Sequence, residues 1–95
     1  MLGHLDRLAP GTLVGWARHD AYTASSVTLL VTANGEFVGR VLANAYRADV
    51  EAAGHGFGRH GFTLESPFFS PGAVVEILRE PDGKALPGGP FIVAE

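Results

Sequence analysis

VTLLVTANGEFVGRVLA, residues 27–43, decides the fold of this chain. Val27, Leu29 and Val31 fall on one side of an extended segment, Thr28, Leu30 and Thr32 on the other, which is the two-residue period of a strand. Asn34-Gly35 comes next. Both residues tolerate the positive φ of a type I′ turn, so the pair is a strong hairpin signal. Residues 36–43 then read as the return strand, with Phe37 and Val41 inward and Val38, Arg40 and Leu42 outward.

Working towards the N-terminus, residues 12–18 form a second strand after a Pro10-Gly11 turn. Val14 and Trp16 share one face, and Leu13, Gly15 and Ala17 the other. Trp16 is expected in the core beside Val14. Residues 1–8 read as a lead-in or short β-edge segment, or as one helical turn on Leu2, Leu5 and Leu8. Residues 19–26 are polar and short-chained, the composition of a loop.

Towards the C-terminus, residues 62–65 read as a strand with Phe62 and Leu64 on its core face. Ser70-Pro71-Gly72 has the chemistry of a type II turn. Residues 73–79 form the next strand, turned back at Pro81-Asp82-Gly83. Residues 84–86 are a short strand, broken by Pro87-Gly88-Gly89-Pro90. Residues 91–95 are an edge strand or the start of a linker. Six or seven short strands at this spacing predict a single all-β domain over residues 1–95, a small antiparallel β-sandwich of immunoglobulin-like type. A small open barrel is the alternative.

Ninety-five residues suffice for one modest core. There is no cysteine, which excludes disulfides and thiolate metal sites. The net charge of −3 and the scattered basic residues, all arginine but Lys84, argue against nucleic acid. No run reaches membrane-spanning length. Residues 1–10 lack the basic and apolar regions of a signal peptide, so a cytoplasmic location is the default. A fragment of a longer secreted protein would read the same way.

The period changes in YRADVEAAGHGFGRHGF, residues 46–62. Asp49 or Asn44 is positioned to cap a short helix at residues 50–53, which Gly54 would end in the left-handed conformation. This is a crossover helix around residues 47–53. Residues 54–61 are too glycine-rich for helix or strand. A dinucleotide fingerprint is rejected, because it needs a helix after the glycines and here a strand follows. The glycines instead permit positive φ and close approach of the loop to the sheet.

Arg47 and Asp49 read foremost as a buried or half-buried ion pair tying helix to sheet. Alternatively Arg47 offers its planar donors to a sugar or carboxylate. His55 and His60 lack enough companion ligands for zinc, so no metal or other cofactor is expected. His60 reads as a packing or backbone-bonding residue, and His55 as solvated. No serine sits in a nucleophile elbow and no acid–base pair is convincing, so the chain does not read as an enzyme.

Several blocks recur together: Gly15-Trp16-Ala17; Asn34-Gly35-Glu36-Phe37-Val38; Tyr46-Arg47-Ala48-Asp49-Val50 through Gly54 to Gly58-Arg59-His60-Gly61-Phe62; and Leu86-Pro87-Gly88-Gly89-Pro90. In this order they resemble a bacterial β-rich accessory domain with the pattern GWA … RxD … GxHGF … lPgsP, found beside glycosyltransferases in alphaproteobacteria. The resemblance spans about residues 10–91. It departs at Arg18-His19-Asp20, where an Asp soon after GWA is usual, and in the Ser/Thr-rich loop before Val27. No catalytic residues come with it. It implies a non-catalytic accessory module associated with glycan handling.

Candidate glycan contacts are Tyr22, Tyr46, Arg47, Phe57, Arg59 and His60, which combine stacking rings with planar polar groups. The partner would be a polysaccharide or a glycosyltransferase. The second expectation is a structural or self-assembling module, a homo-oligomer joined through the segment from Phe91 to Val93 or through Phe68 and Phe69.

Overall fold

Residues 27–43 form the expected hairpin in the computed structural model, which describes residues 1–21, 25–80 and 82–94. β3 (Val27–Ala33) runs antiparallel to β4 (Glu36–Ala43), and Asn34 (φ 51°) and Gly35 (φ 82°) make the turn. Alternation fails at one place. The register shifts between Val31 and Thr32, so that Gly39 faces Val31, Phe37 faces Thr32 and Val38 is an extra residue. A bulge of this kind turns the following side chain to the other face. Val38 therefore packs on the core, and Phe37, expected inward, stands 60% exposed.

The remaining elements are β1 (Leu2–Ala9), β2 (Thr12–Arg18), β5 (Ala45–Tyr46), α1 (Ala48–Ala52), β6 (Arg59–Glu65), β7 (Val74–Arg79) and β8 (Phe91–Ile92). They form two four-stranded sheets, ordered β1-β2-β6-β5 and β4-β3-β7-β8, with every pairing antiparallel. Two such sheets packed face to face are a small β-sandwich. The strand order is that of immunoglobulin-like sandwiches, A-B-E-D against C-F-G with one strand added beside C. The eight strands exceed the expected six or seven because residues 2–9 form a full strand along β2 and residues 45–46 a short one along β6. Residues 84–86 contribute only a bridge between Ala85 and Leu78. Of the expected turn at residues 81–83, Pro81 lies outside the described residues. Among the described residues no helix is long and apolar enough to cross a membrane.

The core lies between the sheets. Leu13 and Ala17 of β2 and Phe62 of β6 join Leu29 and Val31 of β3 and Val75 and Ile77 of β7 in one cluster, to which Phe69, Leu86 and Val93 also belong. The face of β2 that enters the core is thus the one with Leu13, Gly15 and Ala17, not the one with Trp16. Gly15 lies opposite Phe62, and a Cβ on it would stand 2.9 Å from the Phe62 ring. Phe62 supplies the bulk, glycine makes room for it, and Trp16 is left half-buried on the outer face. Phe68 and Phe69 part company: Phe69 is core, and Phe68 is 60% exposed. Likewise Val93 is buried while Ile92 is exposed.

Candidate functional site

Residues 44–61 do not simply link the two sheets. Between β5 and β6, residues 47–58 fold back over the outer face of the β1-β2-β6-β5 sheet. β6 begins at Arg59, three residues before the expected start, and Gly61 is paired on both sides, with Trp16 and with Ala45. A Cβ on Gly61 would lie 2.9 Å from Cδ of Arg47, so the bare strand is what lets the Arg47 stem lie across it. This is the close approach expected of the glycines.

α1 starts after Arg47, which is extended (φ −136°, ψ 122°) and supplies no side-chain cap. Neither Asp49 nor Asn44 caps the helix, because the N-cap position falls on Arg47: Asp49 already lies in the first turn, and Asn44 precedes β5. The C-terminus follows expectation. Gly54 has φ 90°, its N–H donates to the Glu51 carbonyl, and the His55 N–H donates to the Val50 carbonyl, completing a Schellman motif. The Arg47 N–H donates to the Gly58 carbonyl at 2.9 Å and closes the neck of the loop. A Cβ on Gly58 (φ 75°) would stand 2.8 Å from both the Arg47 carbonyl and Cβ of Glu51. Val50 is buried beneath the loop and lies outside the main core cluster.

Two side-chain anchors hold this crossover down. In the first, Arg47 grips Asp49 in bidentate fashion, Nε to Oδ1 at 3.1 Å and a terminal nitrogen to Oδ2 at 2.7 Å. Its other terminal nitrogen donates to Asp6 of β1. Asp6 is the extra residue of a bulge between Leu5 and Arg7, which aims it across the sheet. Hydrogen bonds to the Asp49 carboxylate first, and then to Asp6, raise the Arg47 pKa, and the bond from Arg47 lowers that of Asp49. The Arg47–Asp49 ion pair is present, half-buried at Arg47 and exposed at Asp49, and Asp6 is a third member that sequence spacing did not reveal.

The second anchor corrects an expectation. His55 is half-buried rather than solvated. Its ring lies over Trp16 with centroids 4.5 Å apart, and Nδ1 accepts a 2.7 Å hydrogen bond from Nε of Arg18. Desolvation first, then the Arg18 charge and then His60, push the His55 pKa down.

Of the six candidate contacts, Tyr22 lies outside the described residues. Tyr46 and Arg59 face one another across β5 and β6, and both are exposed. The Tyr46 hydroxyl donates to Glu51 Oε1 at 2.8 Å; that bond raises the phenol pKa, and Arg59 works the other way. Phe57 projects from the loop at 72% exposure. Arg47 has its donors committed to Asp6 and Asp49, and His60 is buried at 2% exposure on the inner face of β6, the face Phe62 shares. Tyr46, Phe57 and Arg59 are thus the accessible members; Arg47 is tied into the crossover, and His60 points to the other side of the sheet. Among the described residues no three His, Asp or Glu are grouped to hold a metal ion. No protein-family model, curated protein or solved structure matches the chain.

Proposed function

We propose that this protein is a non-catalytic binding module that takes a glycan on Tyr46, Arg59 and Phe57. The observation that carries the reading is the cross-strand pair Tyr46–Arg59, an exposed ring beside an exposed guanidinium, on a crossover pinned at two points. A ring offers a stacking face to a sugar, and the guanidinium offers planar donors to its hydroxyls or carboxylates. Binding to a pre-ordered surface avoids the cost of ordering it. The resemblance to glycosyltransferase-associated domains points the same way.

The test is an amide NMR titration with bacterial polysaccharide fragments. Saturable shifts centred on residues 46, 57 and 59 are expected, with at least tenfold weaker binding in Tyr46→Ala and Arg59→Ala variants that remain folded. A silent panel on a well-dispersed spectrum removes the glycan reading.

A second reading, an assembly module, is favoured by a different surface. The outer face of the β4-β3-β7-β8 sheet exposes Phe37, Leu42, Val74 and Ile92.

A further inference from the structure

The second anchor is held by a hydrogen bond that exists only while His55 is neutral. An arginine guanidinium has donors and no acceptor and keeps its proton. The 2.7 Å contact therefore requires a lone pair on His55 Nδ1, with the imidazole proton on Nε2. Arg18 is not free to swing away, because a terminal nitrogen donates to the carbonyls of His19 at 2.8 Å and Asp20 at 3.2 Å.

We propose that the crossover is a proton-operated latch: neutral His55 pins it over Trp16, and protonation of Nδ1 breaks the Arg18 bond, sets two cations together and releases the loop. The latch goes beyond the binding reading and stands without it.

Among the described residues, no carboxylate acts on His55 to offset the added charge. The groups from packed elements that act on His55 are Arg18 of β2 and His60 of β6. On the crossover itself, Asp49 is bonded to Arg47, and Glu51 accepts from Tyr46. His4 of β1 pairs with Trp16 but stands exposed, with the weak 4.0 Å approach to Asp6 as its ion pair. The sign follows from linkage. The closed form holds the His55 proton less tightly than a solvated imidazole of pKa 6.5, so the open form gains ground as pH falls below that value, and the closed form is favoured above it. Motion is confined to the loop. Its neck, from the Arg47 N–H to the Gly58 carbonyl, lies beside β5 and β6, and α1 carries its own Schellman bonds. The loop can lift as a unit while the sandwich stays intact.

Trp16 is the single tryptophan of the chain and reports on the latch directly. Its emission is followed from pH 7.5 to 5 in the native protein, in His55→Gln and in His4→Gln. Glutamine at 55 keeps an acceptor for Arg18 but cannot titrate. The native protein and His4→Gln are expected to shift to the red with a midpoint below 6.5, and His55→Gln to stay flat. An unchanged titration in His55→Gln, or no shift in the native protein down to pH 5, overturns the latch. Should His55→Gln fail to fold, imidazole ¹⁵N spectra and ring-to-ring NOEs of the native protein decide. His55 titration coupled to loss of the His55–Trp16 contact supports the latch; titration with that contact kept overturns it.

Discussion

The two sheets share one alternation and end with unlike outer faces. That of β1-β2-β6-β5 is roofed by residues 47–58, where Val50 is buried, and Trp16 beneath is half-buried. That of β4-β3-β7-β8 is bare, with Phe37 at 60% and Ile92 at 67% exposure. The roof cannot rest on hydrophobic burial. One buried valine stabilises by about 1.5–3 kcal/mol, and ordering two or three residues of chain costs as much, at about 1–2 kcal/mol each. The remainder comes from polar anchors and from glycines that let the loop sit close. A covered face of this kind is specific and conditional; a bare one is permissive.

The largest effect is expected where the roof meets its neck. Gly58→Val puts a β-branched side chain at φ 75° with its Cβ against the Arg47 carbonyl and Glu51. Strain and overlap together should cost about 2–5 kcal/mol, read as a fall in urea midpoint. A loss under about 0.5 kcal/mol, the level of ordinary surface change, would mean that the loop does not sit on the sheet as described.

The next effect compares one arginine from each face. Arg47→Met keeps the stem over Gly61 but strands Asp6 and Asp49, and should cost about 1–2 kcal/mol, discounted because the group is part-exposed. Arg40→Met on the bare face removes an exposed pair with Glu80 and should cost about 0–0.5 kcal/mol. Equal losses at both positions, by thermal or urea melts, would erase the distinction between an anchor and a surface pair. Asp6→Asn should weaken the roof more than a surface change does, because Asp6 is what joins Arg47 to β1.

This contrast also marks what the sequence could reveal. The sandwich was legible because residues 27–33 alternate cleanly and Asn34-Gly35 has few other uses. The crossover helix and its Gly54 stop were legible for the same local reason. The faces were not. Val14-Gly15-Trp16-Ala17 alternates equally well either way, and only Phe62, arriving from β6, shows that the glycine side goes in. Phe37 is misread because a bulge flips it, and a bulge leaves no mark in composition. His55 and Asp6 escaped because their partners are distant in the chain: Arg18 lies 37 residues from His55, and Asp6 lies 41 from Arg47. Arg47–Asp49 was found because it is local.

The smallest expected effect tests the bare face itself. Ile92 stands on the two-residue edge strand β8 and is 67% exposed, beside Val74 on β7. Ile92→Lys, alone or with Phe37→Lys, removes no core contact that the folded chain depends on, so its cost in a dilute monomer should stay within about 0.5 kcal/mol. The same pair of charges placed on a face buried between copies would do much more, since an unpaired buried charge costs several kcal/mol. Melts run at two protein concentrations, with light scattering on the same samples, separate the cases. A small, concentration-independent change means that the face is solvent-exposed in solution, and self-assembly through it is then excluded. A large loss that grows with concentration, with dissociation of an oligomer, would show that the two sheets differ for another reason: one is roofed by its own crossover and the other by a second copy of the chain.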